Sequence, residues 1–389
     1  MISQTGIDKS NWNIPPNNRI SFQYMQSLFP TRRLVRHAGE AFSFEHRPVD
    51  VMGLSFQRAD GSTATVARML EDSYTDSFLV VKSGAIVEER YYNGMHADSH
   101  HLLNSVTKSF VGALMGIAVE KGSIDVDARV SEYLPELSGP GWHGTTVRHL
   151  LDMTAGASYA EDYTDPETDF WKESSVVGWK PPLPEGATAS TLLEYAALRD
   201  GKDQTDGALF HYKTLTTNVL GLLISRVLGE DLGDILTREL WSRLKTRNDA
   251  NVVVDPAGNL YVGAGMSAST RDLACFGMMI ANGGRLGGVQ VVPRGWIDDT
   301  LRGEACSHEN FMASDYAGLG CDHYRNQFWV KDAKQGVLLA LGIHGQIVYM
   351  DCSSELVIVK LSTQPEAADL DVFMEAFAAM DVIADRLRS

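Results

Sequence analysis

From Val106 to Val119 the chain carries one charged residue, Lys108, and from Phe110 onward the run is apolar throughout. Val106, Phe110, Ala113, Leu114 and Ile117 recur at steps of three and four, the helical period, and Val111, Met115, Ala118 and Val119 fill most of the remaining faces. A helix apolar on all sides has to lie inside a core, and Gly122 supplies its stop. The chain is thereby restricted to folds with a large interior built around one buried helix. Burial disfavours an ammonium and lowers its pKa, so a lysine in the first turn of such a helix needs a reason to be there. Ser105 stands three residues earlier, on the same helical face. It also sits at the helix N-terminus, where free N–H groups favour a developing negative charge. A serine beside a desolvated lysine is the minimal apparatus of acyl transfer, with Lys108 taking the Ser105 proton. Ser-x-x-Lys alone is a common spacing, given equally by an N-cap serine and a snorkelling lysine. Partners elsewhere in the chain decide between the two.

The 389 residues suffice for a large core in two domains or one elaborated one, and 44% hydrophobic with 22% charged residues is ordinary for a globular chain. A formal charge of −16 argues against nucleic acid or an anionic membrane as partner. Cys275, Cys306, Cys321 and Cys352 show no C-x-x-C spacing, which suggests free thiols in a reducing compartment rather than a zinc or redox site. The first twenty residues are polar, with Pro15-Pro16 and no apolar signal core, and no run approaches a membrane span. A cytoplasmic enzyme is the expectation.

Residues 1–70 lack periodicity and read as an extended leader wrapped on the surface. Phe78–Lys82 and Ile86–Tyr92, separated by Ser83-Gly84-Ala85, read as a hairpin. Short helical pieces follow the buried helix, and from Ser158 to Gly207 the composition shifts to Asp, Glu, Pro, Gly and aromatics, the mark of a lid or binding loop. Leu215–Leu244 and Ser269–Gly284 are helical. Strands return at Gln327–Lys331, Val337–Leu341, Gln346–Met350 and Glu355–Leu361, and a last helix spans Val372–Leu387. Strands at both ends with helices between give an α/β (α+β) fold: an antiparallel sheet from both chain ends, flanked by helices, with a helical insertion. The boundaries are 1–124 with 250–389 for the sheet-bearing domain, and 125–249 for the helical one, with a lid at 158–180.

Two further stretches carry chemistry. Tyr212, between His211 and Lys213, stands before a helix where a nearby cation would favour its phenolate and make it a proton shuttle; a half-buried core tyrosine gives the same pattern. Ala340-Leu341-Gly342-Ile343-His344-Gly345-Gln346 places glycines inside a strand pattern, which marks either a bulge or a close approach of another group. A strand presenting an N–H opposite Ser105 would complete an oxyanion hole.

Ser105-Val106-Thr107-Lys108, Tyr212-Lys213-Thr214 and the Gly342–Gln346 strand occur in an order that resembles the class C β-lactamase-like serine hydrolases. So do Arg148–Gly156 and Ser269-Thr270-Arg271-Asp272-Leu273-Ala274. Within that superfamily the chain looks most like the 6-aminohexanoate-dimer hydrolases, through Tyr74-Thr75-Asp76, His101-Leu102-Leu103, Glu161–Pro166, Gly178-Trp179 and Gly342-Ile343-His344-Gly345-Gln346. The resemblance covers residues 70 to 365 and extends to the leader. It implies a β-lactamase/transpeptidase-like fold, with Ser105 as nucleophile, Lys108 as its base and Tyr212 assisting proton transfer to the leaving amine. The N–H groups of Ser105 and Ile343 would form the oxyanion hole, and Tyr163 would lie on a mobile loop closing over the amide. Ser174, Trp179, Gly263 and His344 complete the expected substrate-binding set. The chain departs from lactamases at Thr214, where they carry asparagine, and at Ala340-Leu341-Gly342, where they carry Lys-Thr-Gly; without that lysine a β-lactam carboxylate lacks its partner.

The resulting expectation is a hydrolase of linear amides with a small-molecule amide or ester substrate and no metal or organic cofactor; a homodimer stays open. A carboxylesterase of the same fold is the alternative, and a non-catalytic penicillin- or peptidoglycan-binding module the reading from another class. His96, His100 and His101 lack an H-E-x-x-H and read as a surface turn rather than a metal site. Gly283–Gly288 follows a helix and reads as a hairpin-type turn, not a dinucleotide fingerprint. There is no G-x-S-x-G elbow.

Overall fold

The computed structural model describes residues 5–180 and 189–388. An eight-stranded sheet orders its strands as His323–Arg325, Phe328–Asp332, Val337–Gly342, Gln346–Asp351, Leu356–Ser362, Thr75–Lys82, Ala85–Tyr91 and Glu45–His46. Neighbours are antiparallel, except that Glu45–His46 lies parallel to Ala85–Tyr91. The C-terminal meander joins the N-terminal hairpin where Leu356–Ser362 pairs with Thr75–Lys82, Val357 opposite Val81 and Val359 opposite Leu79. A sheet covered on both faces needs apolar residues at odd and even positions alike, which is why these strands read as continuous hydrophobic runs. Leu79, Val81, Val348, Val357 and Val359 pack on one side with Phe110 and Phe276 of the helices Thr107–Glu120 and Thr270–Ala281, whose rings stack at 4.0 Å. Phe78, Val80, Leu339, Ile347 and Ile358 face the opposite side and meet Phe373, Phe377, Met380 and Ile383 of the final helix, Leu370–Arg388.

In the helix Thr107–Glu120 every residue from Thr107 to Ala118 is buried. A short 3-10 turn, Asn104–Val106, leads into it, and Gly122 at φ +70° follows its end. The helix packs against Thr214–Leu228, which starts two residues after Tyr212 and ends on left-handed Gly229. A second, four-stranded sheet orders Thr31–Leu34, Ala250–Val253, Met266–Ser269 and His100–Leu102, and its last strand runs directly into the Ser105 turn.

The leader does more than wrap the surface. It holds two short helices, Asn18–Ser21 and Met25–Leu28, and supplies one strand of that small sheet. Trp12, Phe22, Met25, Phe29 and Leu34 are buried in the main core. The segment expected as a lid contains a helix, Asp169–Val176, with Phe170, Trp171 and Val176 turned inward.

Candidate active site

The site grows from a backbone turn. Asn104 has φ +46°, a conformation asparagine tolerates better than most residues. Its side chain donates to the Ile343 carbonyl at 3.0 Å, and its own carbonyl accepts the Thr107 hydroxyl at 2.6 Å. The Ser105 turn and the Gly342–Gln346 turn are thus tied together. Gly342 permits that approach: a Cβ there would lie 2.5 Å from the Leu103 carbonyl oxygen and 3.1 Å from Asn104 Cβ. The glycine in the strand therefore marks a close approach, with Ser105, Gly342 and Ile343 side by side in one wall.

Lys108 is fully buried and surrounded by acceptors. Its Nζ lies 3.0 Å from Ser105 Oγ, 2.9 Å from Thr214 Oγ1 and 2.6 Å from the Gly263 carbonyl. Desolvation brings its pKa down to about 8, against the opposing pull of Glu161 and Glu173. An ammonium donates to all three acceptors. A neutral amine keeps two donated bonds, to Thr214 and Gly263, and turns its lone pair to Ser105.

Tyr212 stands across the Ser105 hydroxyl, its ring 4.9 Å from Lys108 Nζ. The expected phenolate does not form. Burial pushes the Tyr212 hydroxyl well above its ordinary pKa, and the hydrogen bond with Ser105 offsets this only in part. Lys213, the cation expected to favour it, points away to Asp203 at 2.7 Å and to the carbonyls of Ala155 and Ala157. Tyr212 is a neutral phenol, able to donate a proton and accept another.

Glu161 completes the constellation and was not singled out by sequence. Its carboxylate accepts from the Thr214 backbone N–H at 2.6 Å, the Thr214 hydroxyl at 2.8 Å and the Tyr163 hydroxyl at 2.7 Å. Thr214 therefore passes its proton toward Glu161 and offers its lone pair to Lys108, a use for the position where lactamases carry asparagine. Its place at the head of the Glu161–Pro166 stretch, two residues before Tyr163, was the hint the sequence held.

A cavity of about 250 Å³ opens over Ser105, lined by Tyr163, Tyr212, Tyr316, Trp329, Leu319, Leu341, Gly342, Ile343, Leu370 and Phe373, with Asp315 the one charged side chain among the described lining residues. Ser105, Tyr163, Tyr212 and Ile343 meet there as expected; Tyr316, Trp329 and Asp315 had no sequence signal. Four residues expected to bind substrate do not line it. Trp179 is buried against Trp12 and Tyr261, with ring centroids 4.9 and 5.1 Å away. The Ser174 hydroxyl is spent on the Phe170 carbonyl at 2.8 Å and Tyr261 at 3.2 Å. Gly263 acts through its carbonyl on Lys108, and a Cβ there would lie 2.5 Å from Thr214 Cγ2. His344 turns to the Gln364 carbonyl at 2.7 Å and packs on Phe22. Of the histidines before the turn, His101 meets buried Asp76 at 3.2 Å and His100 meets the Asp249 carbonyl at 2.6 Å. Among the described residues no group of three or more His, Cys, Asp or Glu is arranged to hold a metal ion, and no helix is long and apolar enough to cross a membrane.

The Beta-lactamase family profile matches residues 63–379. The 6-aminohexanoate-dimer hydrolase of Paenarthrobacter ureafaciens is 33% identical over 361 residues, 92% of this chain and 88% of that one. Among solved structures, a Bacillus anthracis protein assigned to the 6-aminohexanoate-dimer hydrolases superposes with a TM-score of 0.87 at 23% identity, over 99% of both chains. A family VIII carboxylesterase superposes with a TM-score of 0.58 at 18% identity, over 80% of this chain and 95% of that one. Matched along most of its length by the profile and by a relative a third identical to it, the chain belongs to the β-lactamase family of hydrolases, on its 6-aminohexanoate-dimer hydrolase side.

Proposed function

We propose that the protein cleaves linear amides of the 6-aminohexanoate-dimer kind through an acyl-enzyme on Ser105. The observation that carries this reading is the housing of Lys108: its neutral form satisfies both remaining N–H bonds and aims its lone pair at Ser105 Oγ, 3.0 Å away. Lys108 takes the Ser105 proton as Oγ attacks the carbonyl carbon. The N–H groups of Ser105 and Ile343 receive the oxyanion. Tyr212, a neutral phenol, gives its proton to the leaving amine and recovers one from Lys108. Water then enters, deprotonated by the same pair, and releases the acid.

The decisive measurement is hydrolysis of aminohexanoate dimer, p-nitrophenyl acetate and nitrocefin by the wild type and Ser105→Ala. Dimer turnover is expected, falling by a factor of about 10³ or more in the mutant. Equal activity of the two proteins would sink the assignment of Ser105. The apolar cavity wall also favours a second reading, a carboxylesterase, and the structural likeness to a family VIII carboxylesterase agrees with it. Tyr212→Phe separates them. Amide cleavage should drop by about 10² and p-nitrophenyl ester cleavage by less than tenfold, because an alkoxide or phenoxide leaves without the proton an amine needs. Ester turnover with no amide turnover in the wild type would favour the esterase.

A further inference from the structure

The mechanism above makes no use of Glu173, a carboxylate with no exposed surface on the Asp169–Val176 helix. Glu173 does not line the cavity, yet a run of hydrogen bonds that passes through the Gly263 backbone leads from it to Lys108. Its Oε1 accepts from Asn218 Nδ2 at 2.8 Å, Asn218 Oδ1 accepts from the Gly263 N–H at 2.7 Å, and the Gly263 carbonyl accepts from Lys108 at 2.6 Å. Its Oε2 accepts from the Tyr159 hydroxyl at 2.6 Å. Asn218 and Gly263 are 45 residues apart in the chain, so the alignment of their groups exists only in the folded protein. Lys108 is therefore held between two carboxylates, Glu161 reached through the Thr214 hydroxyl and Glu173 reached through Asn218 and the two peptide groups that meet at Gly263.

We propose that Glu173 is a positioning residue that sets the proton-accepting state of Lys108 through Asn218 and the Gly263 backbone. This rests on the acyl-enzyme reading of Ser105 and deepens it. The groups facing Glu173 are Tyr159, Asn218, Glu161, Lys108, Tyr195 and Tyr261. Burial raises its carboxyl to about 7, with Glu161 acting in the same direction and Tyr159, Asn218 and Lys108 against it. Near neutrality Glu173 is thus on the point of losing its charge, and each change is felt at Lys108. An ionised Glu173 favours the ammonium; a neutral one releases it toward the amine. The lid-segment helix carries a control on the basicity of a group on another helix.

The test is the rate at which a fluorophosphonate labels Ser105 in the full-length protein, followed against pH, with Ser105→Ala as blank. Wild type should show a rising limb centred near the Lys108 value. Glu173→Gln keeps the shape and removes the charge, so the limb should move down by about one pH unit with its plateau retained. Tyr159→Phe removes the bond that favours ionised Glu173 and should shift the limb the same way by less; it serves where Gln at 173 prevents folding. Asn218→Ala breaks the chain and should lower the plateau at least tenfold. Superimposable profiles for wild type, Glu173→Gln and Tyr159→Phe, or an unchanged plateau in Asn218→Ala, would overturn the proposal while leaving the Ser105 reading intact. A wild type unlabelled at every pH would overturn both.

Discussion

Lys108 has three acceptors around it, and a neutral amine needs only two of them. Acylation by an activated ester should accordingly climb with pH through a midpoint near 8 to a plateau more than a unit higher: the base works as the amine, and the ammonium dominates below the value to which burial has brought it. A bell centred near 6 would show another group acting as base. Gly342 permits a different prediction. Adding a methyl group directed at the Leu103 carbonyl must push the strand away from the nucleophile turn, so Gly342→Ala should lower kcat by about 10² with little change in KM. An unaltered kcat would mean the strand does not position the oxyanion hole. Ser105 and Lys108 were legible in the sequence because their spacing is local, and Tyr212 through the family resemblance of Tyr212-Lys213-Thr214. Asn104, Glu161, Glu173 and Asn218 were not, because each acts through a bond closed only by folding. The phenolate expected at Tyr212 failed for a related reason. Neighbours on extended chain point to opposite sides, so Lys213 faces Asp203 and leaves Tyr212 to the aromatic wall.

The long strands could be read because burial on both faces makes them apolar throughout, and the long helices because of their period. Polar or short elements escaped. His323–Arg325 is an edge strand whose Arg325 is held by Asp152, Asp299 and Glu304, so no apolar signal announces it. Ala250–Val253 and Met266–Ser269 are four residues each and almost wholly buried, too short for a pattern. The leader shows the same limit: its few large residues lack periodicity yet enter the core. Trp12 packs on Phe22, Phe29 and Trp179 and donates its indole N–H to the Trp179 carbonyl at 3.1 Å. Trp12→Ala should therefore cost about 3–5 kcal/mol in urea unfolding, the range for a large aromatic removed from a core. A change under about 0.5 kcal/mol would mean the leader is dispensable to the fold. Because Trp179 ends the segment bearing Tyr163, the same substitution should raise KM for the amide.

At the scale of the molecule, charge and topology set the terms. The chain carries −16, and Asp315 is the one charged side chain among the described residues that line the cavity. Of two esters matched in length, one ending in a carboxylate and one in a methyl group, the first should have a kcat/KM about tenfold lower at low salt. The gap should narrow as ionic strength shortens the reach of both charges. Equal values for the two esters at low salt would show that Asp315 is too far from the bound chain to matter. Topology has a consequence for how the protein is made. The turn bearing Ser105 is translated long before the Val337–Gly342 strand that stands against it, and the sheet between them closes only when Leu356–Ser362 reaches Thr75–Lys82. A ribosome thus carries Ser105 and Lys108 for most of the message without the strand that closes the site over them. Nascent or prematurely terminated chains should be inert toward amides and toward serine probes alike, and activity should arrive in one late step.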